Sequence, residues 1–172
     1  MAKSDSFFIR ATVASTPGNF NQTPIDLGAY VDALGKSVLR IHNVAYEVYE
    51  TASAGGAGDF NLAANASATN CWQLTTQSQA GAISSSNKSV ISSGTLAISN
   101  SSGTANTFTF LSDDPDVAPQ MWTQGYLVAT ENIYLGLDVS SACQQLSVDI
   151  VLECTVETMS QAAAMALALS QQ

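Results

Sequence analysis

The chain has 172 residues, with 14 Asp and Glu against five Lys and Arg, and only 11% of the residues are charged. That length fits a single domain, and a 46% hydrophobic fraction sets the chain apart from disordered sequences, which are apolar-poor and highly charged. Its cations, Lys3, Arg10, Lys36, Arg40 and Lys88, are scattered, and the formal charge is −9, which argues against a phosphate-gripping face and against attraction to an anionic membrane.

The N-terminal "MAKSDSFFIR" does not read as a signal peptide, because Asp5 stands where an apolar run should begin and Arg10 closes the short "FFI". No apolar run reaches the roughly 18 residues of a membrane-spanning helix. Synthesis and folding in a cytosol are therefore expected, and the sequons "NQT", "NAS", "NKS" and "NSS" are expected to be accidental.

Period-2 alternation then recurs along the chain. "FFIRATV" sets Phe7, Ile9, Ala11 and Val13 against Phe8, Arg10 and Thr12. "PIDLGAYV" is demoted by Pro24 and Gly28 to an edge strand or an ordered connection. "KSVLRIHNVAYEVYE" is far longer than the usual five or six strand residues. Its apolar side changes between Ile41 and Val44, which a β-bulge explains, or else cover of both faces, one end by the domain's own second sheet and the other by a partner. "CWQLTTQ", "KSVISSGTLAIS" and "TANTFTFL" are further candidates. "GYLVATENIYLGLDV" changes phase around Thr130–Asn132, as two strands or one bulged strand would. In "QLSVDIVLECTVE", Leu146, Val148, Ile150, Leu152, Cys154 and Val156 share one face, as a long half-buried strand requires.

The separators "STPGN", "SAGGAGD", "SNSSG", "SDDPD" and "SSAC" carry turn chemistry. Eight or nine short strands without a βαβ rhythm predict an all-β sandwich or barrel over residues 1–158. Residues 159–172 form a separate apolar tail, "SQAAAMALALSQQ", either a helix capped by Ser160 or an extended segment. A helix of a dozen residues is marginal alone, so the tail needs its own domain or a neighbouring subunit to pack on. That makes Met165, Leu167 and Leu169 candidate interface residues.

Few residues suggest chemistry. His42 is the lone histidine, so any Ser–His or Cys–His mechanism would run through it, and its neighbours Ile41 and Asn43 supply no orienting carboxylate. No enzyme activity and no cofactor are expected. Arg40 and His42 share a strand face, which is either a polar pair at an inter-subunit seam or a solvated patch. Asp113, Asp114 and Asp116 are the densest carboxylates; they suit a turn, with calcium or another inter-subunit cation as the alternative. Trp72, Trp122 and Tyr126 are either core and interface anchors or a sugar-stacking platform. Cys71, Cys143 and Cys154 lack zinc-site spacing and read as buried apolar residues. "SAGGAGD" lacks the lysine of a phosphate-binding loop.

The stretches "IDLGAYVDALGKSVLRIHNVAYEVY" and "VDIVLECTVETMSQAAAMALALSQQ", in an acidic all-β chain with a long strand and an apolar tail, resemble the small major capsid proteins of tailless, internal-membrane viruses of bacteria and archaea. The resemblance implies a single jelly roll of two four-stranded antiparallel sheets. It implies self-assembly into capsomers of an icosahedral shell, often beside other capsid proteins and over a membrane vesicle. The location would then be the virion, after synthesis in a host cytoplasm. The family carries no catalytic residues. A shell protein lining naked nucleic acid is expected to carry a basic arm, so no direct nucleic-acid contact is expected here. The competing expectation is a phage fibre or spike, or a carbohydrate-binding β-sandwich module, with the aromatics as its site. A cupin-like enzyme would need several metal-binding histidines and has one.

Overall fold

A computed structural model describes residues 4–32, 36–53, 60 and 62–171. Nine strands run β1 (Phe7–Ser15), β2 (Phe20–Asp26), β3 (Ser37–Glu50), β4 (Ser67–Thr75), β5 (Val90–Ser99), β6 (Phe110–Val117), β7 (Tyr126–Val128), β8 (Asn132–Asp138) and β9 (Leu146–Thr158). One helix, α1 (Gln161–Ser170), follows. The strands form two antiparallel sheets, one of four in the order β1-β9-β3-β7 and one of five in the order β2-β8-β4-β5-β6. Their facing sides make a sandwich core that includes Leu39, Ile41 and Val44 from β3, Trp72 and Leu74 from β4, Leu135 and Leu137 from β8, and Val148 and Leu152 from β9. Each such side chain contributes about 1.5–3 kcal/mol by leaving water.

Local chemistry sets the connections. In "STPGN", Pro17 and Gly18 occupy the central turn positions, Gly18 has φ +72°, and Asn19 N–H donates to Thr16 C=O at 3.1 Å. That is the type II arrangement, which asks for proline first and glycine second. The phase change in "GYLVATENIYLGLDV" is a change of sheet: β7 belongs to the four-stranded sheet and β8 to the five-stranded one. "PIDLGAYV" lies partly in β2, an edge strand, where Pro24 removes no needed ladder bond. "SAGGAGD" falls mostly outside the described residues.

Two expectations are corrected. The second sheet has five strands instead of four, because "SDDPD" belongs to β6, an edge strand and not a turn. An edge tolerates Pro115, and its charges discourage further pairing. The strand expected in "TANTFTFL" begins only at Phe110, with residues 104–109 irregular.

The long strand β3 is bulged, with a register shift against β9 between Ile41 and Asn43. Before the bulge, Leu39 and Ile41 face the core; after it, Val44 and Val48 do. The outer face is also covered at one end. Val38, Ala129, Ala164 and Ala168 form a second apolar cluster, where α1 lies against Val38 of β3 and, with Leu127 and Met159 beside it, the end of β7. Small alanines let the helix approach closely, and that packing supports an element too short to be stable alone. The cover over this end is therefore the chain's own tail rather than a partner. Ser160 caps the helix, its Oγ accepting from Ala163 N–H at 3.3 Å.

Candidate functional site

Beneath α1 lies an ion pair. The Arg40 side chain, 8% exposed, donates from Nε to Glu157 Oε1 at 2.7 Å and from Nη2 to Oε2 at 2.8 Å. Its Nη1 also donates to Gln124 C=O. Glu157 pairs in register with Val38 on the neighbouring strand, so the two side chains meet diagonally across the sheet. The expectation of a solvated patch fails for Arg40, because α1 and the turn before β7 roof it. His42 is half-buried, with Nε2 2.9 Å from Thr155 Oγ1. Arg40 is thus held by groups of its own chain, and His42 faces a threonine hydroxyl.

The same region shows how a chain poor in charged residues satisfies its backbone. The Gln171 carboxamide accepts from Ala129 N–H at 3.0 Å and donates to Leu127 C=O at 2.6 Å, continuing the ladder past the end of β7. The Gln120 carboxamide does the same for Val44, accepting from its N–H at 3.1 Å and donating to its C=O at 3.0 Å. The Gln73 carboxamide clasps the N–H and C=O of Ile83. A planar amide offers one donor and one acceptor side, like a peptide group, and so replaces a missing strand.

The three aromatic candidates separate. Trp72 is buried in the core with its ring centroid 4.5 Å from that of Tyr46, and its indole lies across Gly94, where a Cβ would stand 2.3 Å from Nε1. Trp122 is 47% exposed, with its ring centroid 6.5 Å from that of Tyr126. Beside Tyr126 runs a groove of about 520 Å³, lined by Leu127, Leu167, Gln124, Ser170 and Lys88.

The three aspartates lie on β6 but not together. Asp113 pairs in register with the core residue Leu96 and hydrogen-bonds Tyr46. Asp114 and Asp116 take Ser112 Oγ and Thr95 Oγ1, each at 2.8 Å. Burial, and then Asp114, raise the Asp113 carboxyl above the ordinary carboxylate range, although the Tyr46 bond opposes this. Burial and then Asp113 push the Tyr46 phenol up as well. Among the described residues, no group of three or more His, Cys, Asp or Glu side chains lies close enough to hold a metal ion.

On α1, Leu167 packs against the second cluster, whereas Met165 and Leu169 point outward, Leu169 being 68% exposed. The cysteines are free thiols. Burial raises Cys71 to about 11, with help from Asp116 and Asp138, and Cys154 to about 12, with help from Glu153. Neither is a nucleophile at neutral pH.

Sequence reasoning missed Glu157, which looked like an ordinary outward strand residue, and Lys88 at the groove. It also missed the exposed apolar corner of Phe108, Phe110 and Leu111 on and before β6. The cue for that corner was present: apolar residues on both faces of one segment. No protein-family model matches the chain, and no curated protein matches its sequence.

Proposed function

We propose that this chain is a structural shell protein, a small single jelly-roll major capsid subunit. On this reading it self-assembles into capsomers of an icosahedral virion, beside other capsid proteins and over a membrane vesicle. The observation that carries the reading is the strand pairing. A jelly roll is a long antiparallel hairpin of eight strands rolled into two Greek keys. In such a hairpin the first strand pairs with the eighth, the second with the seventh, the third with the sixth and the fourth with the fifth. With edge strand β6 set aside as an insertion, the corresponding pairs are β1–β9, β2–β8, β3–β7 and β4–β5, and all four are present and antiparallel. Rolling then brings β9 beside β3 and β8 beside β4, as found.

The surface supports the same reading. Phe8, Phe110, Leu111, Met121, Trp122, Met165 and Leu169 are all large, apolar and exposed. Apolar surface of this kind marks contact sites when it is contiguous. The formal charge of −9 favours a non-nucleic-acid lining beneath the shell.

Electron microscopy of the purified protein, with light scattering beside it, tests the proposal. Closed shells or ring-like capsomers are expected. A monodisperse monomer at high concentration would overturn it and turn attention to Trp122 and Tyr126 as a glycan platform.

A further inference from the structure

Two unlike surfaces stand apart on this molecule. One is the groove between α1 and the turn before β7, with Tyr126, Leu127 and Leu167 as apolar lining and Lys88 on its border. The other is a projecting corner on the edge strand β6. There Phe110 is 57% and Leu111 41% exposed, and the exposed carboxylates Asp114 and Asp116 follow within the same strand. Edge strands normally defend themselves with charge and proline. Here Asp113, Asp114, Pro115 and Asp116 protect only the second half of β6, and the first half shows apolar side chains on both faces.

We infer that these two surfaces bind each other between copies: the Phe110–Leu111 corner of one chain enters the α1 groove of the next, and its β6 carboxylates face that neighbour's Lys88. This names the partner surface for the shell reading above and rests on it. Apolar surface meets apolar surface, and a strand carrying carboxylates meets a groove lined by Lys88 and by Arg40, whose charge Glu157 already answers. Charge complementarity of this kind fixes register and excludes the reversed fit. Made head to tail, in place of a reciprocal two-fold pair, the contact is heterologous. Each copy gives its corner to one neighbour and its groove to another, which generates rings or extended arrays instead of closed pairs.

The test uses the full chain in analytical ultracentrifugation. Phe110→Asp spoils the corner and leaves the groove. Ser170→Glu, at an exposed helix position lining the groove, adds a negative charge there and leaves the corner. Both positions are exposed, so folding should survive, and circular dichroism checks this. Phe110→Ser replaces the first variant if it does not fold. Each variant alone should lose assembly, with its dissociation constant raised at least about tenfold. Mixed in equal amounts, they should form a heterodimer that grows no further, because only one intact corner and one intact groove remain. Phe110→Asp dimerising alone would overturn the inference in favour of a groove-to-groove contact. Both variants assembling like the wild type would overturn it while leaving the shell reading intact. A monomeric wild type would remove both, and if that monomer sediments with phosphatidylcholine vesicles, the apolar surfaces serve lipid instead.

Discussion

Two stretches of β3, one on each side of its bulge, differ although they belong to one strand. From Val38 to Ile41 every residue is buried, because the second sheet covers one face and α1 the other. From Val44 to Val48 burial alternates, with Val44 and Val48 buried, Tyr46 half-buried, and Ala45 and Glu47 exposed on the outer face. Polarity follows cover. Under the helix, Arg40 is held by two hydrogen bonds to Glu157. In the open half, Glu47 stands directly opposite Asp149, a like-charge pair eased by water and by the Tyr49 hydroxyl, which donates to Asp149 Oδ1 at 3.1 Å. The bulge between Ile41 and Asn43 lets one strand serve both regimes.

This contrast is most sharply tested by removing Glu157. Glu157→Ala leaves Arg40 buried without its carboxylate, and a loss of about 3–5 kcal/mol is expected in urea denaturation. A loss below 1 kcal/mol would mean that the covered stretch is wetter than its burial indicates. Next, Gln171→Ala orphans the buried Ala129 N–H and the half-buried Leu127 C=O. A cost of about 1–3 kcal/mol is expected, with hydrogen exchange at Ala129 rising before that of the sandwich core.

In the open stretch, Glu47→Lys should change stability by only a few tenths of a kcal/mol, and in the favourable direction, because an opposite-charge pair with Asp149 replaces a like-charge one. The gain should shrink in high salt. A destabilisation as large as that of Glu157→Ala would erase the distinction between the two stretches.

The smallest effect concerns Asp113, on the edge strand β6, which hydrogen-bonds Tyr46. Its carboxyl is raised in the folded state, so ionisation opposes folding. The penalty is absent below the ordinary carboxylate pKa and fully present above the raised folded value. Asp113→Asn should therefore leave stability unchanged in acid and give a slight gain at neutral pH, read from melting curves across that range. A gain confined to low pH would reverse the assignment.

Alternation in "FFIRATV" and "QLSVDIVLECTVE" was enough to identify β1 and β9, since a half-buried strand imposes its period on the residues themselves. The Ile41–Val44 switch left a bulge and cover of both faces as alternatives, and the structure has both, the second through the chain's own helix. "SDDPD" was misread because proline and aspartate favour turns and edge strands alike, and only a neighbouring strand distinguishes the two. The aromatics were ambiguous in a similar way: Trp72 and Trp122 look equivalent in sequence, and what separates them is Gly94 opposite one and solvent around the other.

The sequence by itself determined an all-β sandwich or barrel, its long strand, a distinct apolar C-terminal tail and a chain poor in charge, because these follow from local periodicity and composition. The tertiary structure alone decided that the tail covers its own sheet, that Arg40 finds Glu157 across 117 residues of chain, and that glutamine carboxamides complete broken ladders. Each of these depends on which groups are brought together and shielded from water, and no local pattern encodes that proximity.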